Sequence, residues 1–539
     1  MKNAFTQTPE SGPEILLTGQ SLSLNEIVAV SRHGQKVKIS PDCFAKINAS
    51  RKYVEDLVNN NQIAYGITTG YGPLVNRLIP PEKAAESQYN LIQMLSGGVG
   101  EPLAVDVARA ITLIRINSLC KGYSGIRHST LEFMCELLNR GVTPYIPETG
   151  SVGASGDLCP LAHMVQALLG EGEVFYKGTI VPARKALEDA KLSPIKLSYK
   201  EGLALINGTT VMSGLFALAL ADAWDIVLLA EALASFATDV LRGNPEHFDL
   251  RISKIRQHPG QMTTSKNLLA FGKGSQLTLD GEALRKILKE ARKKSDKVLH
   301  VNTDLQNPYS IRCVPQIVGA VRDLLTFVDG LLKTEVNSVT DNPLIFAEDL
   351  VDLHGGNFYG QHLSFASDIL GLGLTKLALL SERRFARYID DKFSQGLPAF
   401  LIKGDEAGFD NGFMGIQLVA TALAAEIRNM NDSASVSSIP TNANNQDIVS
   451  MGTPAAKKLS IMIEKTRALF AYELLALAQA ADFLGPEKLG VAGKALHAEV
   501  RSVVPFLTHD RPFRPDIQAL VAKMQDRSFM TALNAAVPG

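Results

Sequence analysis

The sequence has little of what disulfide-rich, zinc-binding or nucleic-acid-binding proteins need. Its 539 residues include only five cysteines and one tryptophan, and no two cysteines form a CxxC pair. An odd number of widely spaced cysteines argues against a disulfide framework or a zinc site and indicates reduced thiols. The formal net charge of −1 provides no field of one sign to attract nucleic acid or an anionic membrane. We therefore expect no metal, no nucleic acid and no membrane partner.

Neither the N-terminus nor the longest apolar stretch indicates export or membrane insertion. The first residues, MKNAFTQTPESGPEILLTG, lack an apolar core after a basic start. The apolar stretch 211–237 is interrupted by Asp222 and Asp225. Charges at that depth favour a buried helix over a membrane span. We therefore expect a cytoplasmic protein.

The character of the sequence changes at about residue 205. Residues 1–205 alternate short apolar segments with Gly-rich loops, which predicts a mixed N-terminal domain. Residues 206–539 predict a helical bundle, with long segments that are rich in Ala and Leu at 211–242, 314–337, 361–389, 411–430 and 454–484. In 361–389, helical spacing relates Leu363, Ala366, Leu370, Leu374, Ala378 and Leu379. Helices with such wide apolar arcs must pack against each other or against other subunits, so the fold class is mainly α.

The most distinctive motif is GSVGASGDLCPLAHM at 150–164. Its simplest interpretation is a Gly-rich turn into a helix, with Asp157 as a helix cap. It is not a phosphate loop, because no Lys-Ser/Thr follows the glycines and the strand–GxGxxG–helix pattern is absent. No nucleotide cofactor is therefore expected.

ASGDL within this segment resembles the signature of the histidine, phenylalanine and tyrosine ammonia-lyases and aminomutases, which carry 4-methylidene-imidazol-5-one (MIO). The resemblance implies that Ala154, Ser155 and Gly156 form this group autocatalytically. The Gly156 nitrogen must attack the Ala154 carbonyl carbon, and Ser155 must lose its hydroxyl as water. That chemistry needs a very tight backbone bend and small side chains. Its product is an electrophile that no standard side chain offers.

Two further segments resemble parts of the same family's active site. YGITTGYG at 65–72 implies that Tyr65 is the catalytic base, and EGLALINGT at 201–209 implies that Asn207 contacts the MIO carbonyl and the substrate amine. As isolated residues, they would be a turn tyrosine and a helix cap. A tyrosine that acts as a base near neutral pH needs nearby donors or positive charge, because a phenol ordinarily has a pKa of about 10.

QNPYSIRCVPQ at 306–316 resembles the segment that contacts the substrate. The resemblance implies a substrate-binding Gln306, a catalytic Tyr309 and an Arg312 that binds the substrate carboxylate. Tyr309 and Arg312 are three residues apart and therefore share one face of a helical turn. The planar guanidinium of an arginine suits a carboxylate bidentately, although a structural ion pair is the alternative role.

Three more segments follow the family's order. HGGNFYGQ implies that Phe358 lies beside the MIO ring, ALAAEIR contains a substrate-binding Glu426, and NANNQDIVSMG contains the supporting residues Asn445 and Gln446. Outside this context they would be a core residue, a surface charge and a turn network. The resemblance extends over about residues 15–520, whereas the GSSxMPxKxN signature of aspartases and fumarases is absent.

The resemblance also implies architecture and assembly. The implied fold is a long up-and-down helical bundle of the histidase and fumarase/aspartase type, preceded by a mixed N-terminal part that carries the MIO loop. The implied assembly is a homotetramer in which several subunits contribute to each site. Buried apolar helix faces and closed symmetry agree with such an assembly.

Ring specificity is predicted from Met94, Leu95 and Leu418. YNLIQMLSGGVG at 89–100 resembles the selectivity segment, where histidine-specific enzymes tend to have Ser-His, tyrosine-specific enzymes His-Leu and phenylalanine-specific enzymes Phe-Leu. Leu418 stands where tyrosine 2,3-aminomutases of this type have Tyr. Methionine cannot donate to a phenol oxygen or an imidazole nitrogen. A buried hydroxyl without a partner costs about 1–3 kcal/mol, which disfavours tyrosine.

The predicted reaction is elimination of ammonia from L-phenylalanine or a close aryl analogue, giving a trans-cinnamate-type arylacrylate. The alternatives are a 2,3-aminomutase and a tyrosine ammonia-lyase of the same family. A catalytically silent binding homologue is a third class, against which the intact Ala154–Gly156 segment, Tyr65 and Arg312 argue.

Overall fold

The computed structural model describes residues 12–293, 296–300, 306–403 and 407–535. The first part contains short strands and helices of up to 16 residues, separated by loops that are often Gly-rich. In chain order these elements are β1 (Ile15–Leu17), α1 (Leu24–His33), β2 (Val37–Ile39), α2 (Phe44–Asn59), α3 (Ala84–Leu95), β3 (Val99–Pro102), α4 (Val105–Leu119), α5 (His128–Asn139), β4 (Thr143–Pro144), β5 (Pro147–Thr149), α6 (Leu158–Leu168), β6 (Glu173–Tyr176), β7 (Thr179–Pro182), α7 (Ala183–Asp189) and α8 (Glu201–Ile206).

The second part consists mainly of long helices. Its helices, long and short, are α9 (Thr210–Val240), α10 (Leu250–Arg256), α11 (Pro259–Phe271), α12 (Gly281–Arg292), α13 (Tyr309–Arg312), α14 (Val314–Glu335), α15 (Gln361–Tyr388), α16 (Met414–Asn429), α17 (Gly452–Leu484), α18 (Val491–Arg501), α19 (Arg514–Gln525) and α20 (Arg527–Ala535), and the hairpin strands β8 (Leu344–Phe346) and β9 (Val351–Leu353) lie before α15.

The sheets are small and peripheral to the bundle. β1 pairs with β2 in parallel, β3 with β5 and β8 with β9 are antiparallel, and the order of the three-stranded sheet is β4-β6-β7. Two- and three-stranded sheets of this size are not independently stable, so they depend on the helices that cover them.

The core of the bundle is formed by α9, α15 and α17, which pack along one another, with α4 and α14 against α9. α9 is apolar around most of its circumference and almost entirely buried. The five predicted long helices are confirmed to within a few residues. α16 begins at Met414 rather than 411, because Gly412 has a left-handed φ of 52°. Along α15, Leu377 is buried whereas the predicted Leu379 is only half-buried.

Buried ion pairs link the long helices at fixed points. The Glu231 carboxylate on α9 accepts from the Arg322 guanidinium on α14 at 2.6 Å. Arg384 on α15 donates to Glu473 on α17 at 2.6 Å, and the Tyr388 hydroxyl donates to the same carboxylate at 2.8 Å. Removing one partner of such a buried pair typically costs about 3–5 kcal/mol, because the other charge is left without compensation.

α9 and α15 are long and apolar enough to cross a membrane by length and composition alone. Their apolar windows are 83% and 67% buried within the fold, as in the core helices of a globular bundle. Asp222, one of the two α9 charges that argue against a membrane span, forms an ion pair with another helix. Asp222 accepts from the Arg32 guanidinium of α1 at 2.7 and 3.0 Å.

The predicted boundary at residue 205 falls in the last turn of α8. A single large hydrophobic core includes residues from both sides of it, such as Leu113 and Leu229. A second, smaller cluster lies under the loop that follows α2 and contains Val54, Leu57, Val58, Ala64, Ile67 and Ile345. The division into two domains remains a prediction.

Candidate active site

The loop at 65–72 is held in shape by its own threonines. The Ala64 N–H donates to the Thr68 hydroxyl at 2.9 Å, and the Gly66 N–H donates to the Thr69 hydroxyl at 3.0 Å. These bonds curl the chain so that the Gly72 N–H donates to the Tyr65 phenol oxygen at 3.1 Å. Such side-chain-to-backbone bonds favour turns over helices.

Tyr65 is half-buried and has an aromatic neighbour from the later part of the chain. The His354 ring meets the Tyr65 ring edge-on, with centroids 5.6 Å apart. Gly72 has a φ of 52°, and a Cβ at this position would lie 2.7 Å from the Asn442 Nδ2 atom. Glycine is therefore required where the loop meets the segment 441–448.

The Ala-Ser-Gly loop contains two consecutive residues in the left-handed region. Ser155 and Gly156 both have left-handed φ angles, 52° and 73°. The Asp157 N–H donates to the Gly208 carbonyl oxygen at 2.9 Å, and a Cβ on Gly156 would collide with that oxygen. A left-handed φ is uncommon for a serine, so the surrounding contacts must hold the loop in this conformation.

Asp157 anchors the loop to two long helices. Its fully buried carboxylate accepts from the Val211 and Met212 N–H groups at 3.1 and 2.9 Å, and from the Ser151 hydroxyl at 2.8 Å. It also accepts from the Thr453 hydroxyl of α17. Burial raises the pKa of Asp157. Asp157 was expected to cap the helix that follows it, α6. Its carboxylate does cap a helix, but that helix is α9.

Two predicted site residues contact Ser155 directly. The Asn207 side-chain amide donates to the Ser155 carbonyl oxygen at 2.8 Å. The Gln446 side-chain amide donates to the Ser155 hydroxyl oxygen at 2.7 Å. Asn207 is placed there because α8 ends at Ile206, and Gln446 because the turn 441–446 closes on itself.

A cavity of about 720 Å³ opens over this loop. Its lining includes nine of the predicted residues, namely Tyr65, Met94, Leu95, Ala154, Ser155, Asn207, Phe358, Asn445 and Gln446. Gly156, the third residue of the Ala-Ser-Gly loop, is the next residue in the chain after Ser155 but does not itself line the cavity.

Several other lining residues were not predicted. They include Leu91, Leu158, Cys159, Leu203 and Tyr359. Leu91 precedes Leu95 by one helical turn, and Leu203 precedes Asn207 by the same spacing. The i, i+4 periodicity of α3 and α8 could therefore have revealed both.

Five predicted residues lie outside the walls of this cavity: Gln306, Tyr309, Arg312, Leu418 and Glu426. Tyr309 and Leu418 are 68% and 75% exposed. The Arg312 guanidinium lies over the Tyr309 ring at 4.8 Å, which confirms that the two share a face. Glu426 pairs with Lys465 at 2.5 Å. A single chain therefore does not bring these five side chains to the Ala-Ser-Gly loop.

The chain is similar to known proteins over almost its whole length. The sequence model of the aromatic amino acid lyase family matches residues 22–502. A histidine ammonia-lyase of Streptococcus pyogenes is 41% identical over 527 residues, which cover 97% of this chain and 98% of the relative.

Solved structures match over almost the whole chain as well. The tyrosine aminomutase of Streptomyces globisporus is 38% identical with a TM-score of 0.94, covering 98% of this chain and 99% of that one. The phenylalanine aminomutase of Pantoea agglomerans is 33% identical with a TM-score of 0.91, covering 96% and 100%. These matches confirm the predicted fold and the predicted enzyme class, a carbon–nitrogen lyase. The chain belongs to the aromatic amino acid lyase family.

Proposed function

We propose that the protein is an MIO-dependent ammonia-lyase that converts L-phenylalanine, or a close aryl analogue, to a trans-arylacrylate and ammonia. The observation that carries this proposal is the composition of the cavity. Tyr65, Asn207 and Ser155 share it with an apolar wall that includes Met94 and Leu95. An amino acid with an unsubstituted ring would place its reacting carbons near the polar residues and its ring against that wall.

The residues of the Ala-Ser-Gly loop fit the prosthetic group. Ser155 and Gly156 already have the left-handed φ angles of a tight bend, and the loop has no room for a side chain at Gly156. Asn207 and Gln446 donate to the two oxygens of Ser155. Once formed, the group would supply an electrophilic methylidene carbon, which no standard side chain offers.

The protein's own side chains would bind the substrate and move its proton. Tyr65 would take a proton from the β carbon, and the Gly72 N–H, which donates to its oxygen at 3.1 Å, would orient it. Asn207 would hold the amino group near Ser155, and Phe358 lines the same cavity. Exclusion of water by the substrate ring and the apolar wall would strengthen each of these polar contacts.

The apolar side chains that line the cavity favour a substrate with an unsubstituted ring. Leu91, Met94, Leu95, Leu158 and Leu203 carry no hydrogen-bond donor in their side chains. A tyrosine hydroxyl or an imidazole nitrogen buried among them would lose its partner in water. Overall similarity to histidine ammonia-lyases does not set this preference, because a few side chains at the ring end of a site determine it.

A 2,3-aminomutase is the second candidate, and the similarity to two aminomutase structures favours it. It would use the same residues and return ammonia to the β carbon before release. The difference depends on how long the closed site retains the two products. A tyrosine ammonia-lyase remains a third possibility within the family.

We further propose a cytoplasmic homotetramer in which subunits share each site. The support is that Arg312, Tyr309, Gln306, Leu418 and Glu426 lie away from the cavity of their own chain. Among the described residues, the Arg312 Nε atom is buried without a hydrogen-bond partner.

The surface of the bundle also favours association. Large apolar side chains on α14 to α17 are exposed in one chain, namely Phe327, Phe365, Leu372, Leu418 and Ile461. Exposed apolar positions on helices of this length are typical of subunit contacts.

Product analysis tests the proposed reaction. The purified protein is incubated separately with L-phenylalanine, L-tyrosine and L-histidine, and the products are resolved by chromatography. We expect cinnamate and ammonia from L-phenylalanine at the highest kcat/KM. A β-amino acid would select the aminomutase, and preferred turnover of histidine or tyrosine would overturn the proposed ring preference.

A further inference from the structure

Gln88 lies at the junction of three segments that carry predicted site residues. It belongs to α3, six residues before Met94, and its side chain is completely buried. The amide nitrogen donates to the Gly66 carbonyl oxygen at 3.0 Å and to the Tyr71 phenol oxygen at 2.8 Å. The amide oxygen accepts from the Leu203 N–H at 3.0 Å.

Two of these bonds hold the Tyr65 loop from both ends. Gly66 directly follows Tyr65, and Tyr71 directly precedes Gly72, whose N–H donates to the Tyr65 oxygen. Burial raises the pKa of Tyr71 to about 12, so its phenol stays protonated near neutral pH. Because Tyr71 accepts from Gln88, its own proton is free to bond the Ser87 hydroxyl, 3.2 Å away.

The third bond fixes α8 and, through it, Asn207. Leu203 lies one helical turn before Asn207, whose amide donates to the Ser155 carbonyl. Packing around the junction is close. A Cβ on Gly66 would lie 2.5 Å from the Leu203 Cδ2 atom, and a Cβ on Gly202 would lie 2.6 Å from the Gln88 carbonyl oxygen. Glycines at these two positions allow the three segments to approach.

We propose that Gln88 is a positioning residue for the reaction. It fixes the Tyr65 loop, the helix that ends at Asn207 and the helix that carries Met94 relative to one another. This inference rests on the proposed function, in which Tyr65 and Asn207 act on the substrate. A displacement of about 1 Å in a reacting group can lower the rate about a hundredfold, so loss of these bonds should reduce kcat.

Gln479 provides a matched control. It is also a buried glutamine. Its amide nitrogen donates to the Leu401 and Leu507 carbonyls at 3.3 and 3.0 Å, and its amide oxygen accepts from the Leu507 N–H at 3.0 Å and from the Arg501 guanidinium at 3.3 Å. It joins α17 to an earlier segment at Leu401 and to a later one at Leu507, and it does not line the cavity. Gln479→Met and Gln88→Met therefore each remove the hydrogen bonds of one buried glutamine amide, at different places in the fold.

The test compares both variants with the wild-type tetramer by amide hydrogen exchange and by steady-state kinetics on L-phenylalanine. Exchange reports local opening segment by segment, independently of activity. We expect Gln88→Met to speed exchange in 66–72 and 203–207 and to lower kcat about 10- to 100-fold, with KM within about threefold. Gln479→Met should leave exchange in both segments, and kcat, unchanged.

Unchanged exchange in 66–72, or a fall in kcat equal to that of Gln479→Met, would overturn the proposal. Faster exchange with an unchanged kcat would overturn it too. If Gln88→Met does not fold, Gln88→Glu keeps the shape and the acceptor for Leu203 and is compared in the same way. If the wild-type protein deaminates no aromatic amino acid, the proposed function fails, and the exchange comparison still decides whether Gln88 holds the loop.

Discussion

The Asn207 side-chain amide donates to the Ser155 carbonyl oxygen at 2.8 Å, so the end of α8 lies directly against the Ala-Ser-Gly loop. Asn207 is almost fully buried, and its backbone is extended, which ends the helix at that point. One residue thus terminates α8 and supplies a donor to the segment that is proposed to become electrophilic. A fixed donor of this kind needs no reorganisation when charge develops on the oxygen.

Asn207→Asp replaces this donor by an acceptor of the same shape. We expect kcat to fall by about a hundredfold or more, because loss of one preorganised donor typically costs 10²–10³. Steady-state kinetics on L-phenylalanine measures the effect. Asn139→Asp makes the same chemical change at an asparagine that bonds the Val37 backbone and does not line the cavity, and it should retain wild-type kcat. Equal losses in the two variants would argue against a role for the Asn207 donor.

Met94→His places a donor at the ring end of the cavity. We expect the ratio of kcat/KM for tyrosine over phenylalanine to rise by the equivalent of about 1–3 kcal/mol, the worth of satisfying a buried hydroxyl. Met94→Leu is the control, since it changes shape without adding a donor. A wild-type preference for tyrosine or histidine would show that the interpretation of Met94 and Leu418 is wrong.

Shared sites predict complementation between inactive subunits. Tyr65 lines the cavity and Arg312 does not, so the two should come from different chains at each site. Tyr65→Phe and Arg312→Ala subunits, each inactive alone, should regain partial activity after refolding together. No recovery in mixed tetramers, or an active monomer by light scattering, would contradict the shared-site assembly.

Because Asp239 is buried, we expect the free energy of unfolding to depend on pH. Its carboxylate accepts from the Gly490 N–H at 2.8 Å, and burial raises the pKa of Asp239 to about 6. The folded state therefore binds the Asp239 proton more tightly than the unfolded state does. Protonated Asp239 stabilises the fold at low pH, and this stabilisation is lost as pH rises from about 4 to about 6. Asp239→Asn keeps an acceptor for Gly490 and should raise Tm more at pH 7 than at pH 4. An equal change in Tm at both values would contradict the assignment.

Much of the bundle was predictable because long apolar periodicity determines helix position. The predicted start of α16, residue 411, precedes the observed start at Met414, because the hydrophobic pattern does not reveal the left-handed turn at Gly412. Gln88 was not singled out, because a glutamine in an amphipathic helix is expected on its polar face. Its burial depends on Gly66, Tyr71 and Leu203, which come from other segments.

In the candidate site too, some features could be predicted from sequence and others could not. Motifs located the residues of the Ala-Ser-Gly loop, Tyr65 and Asn207, and the fold brings them together in one cavity. Arg312 and Glu426 were identified by motif as well, but within one chain they lie outside the walls of that cavity. In the proposed tetramer, another copy would supply them. A pattern along one chain carries no information on which copy supplies a side chain.

Intact mass spectrometry of the purified, active protein tests the central claim most directly. Cyclisation of Ala154–Ser155–Gly156 and dehydration of Ser155 each release one water, so we predict a mass about 36 Da below the encoded value. Ser155→Ala has no hydroxyl to lose and should be inactive, with the fold retained by circular dichroism. An active wild-type protein with the full encoded mass, or wild-type activity in Ser155→Ala, would contradict the account.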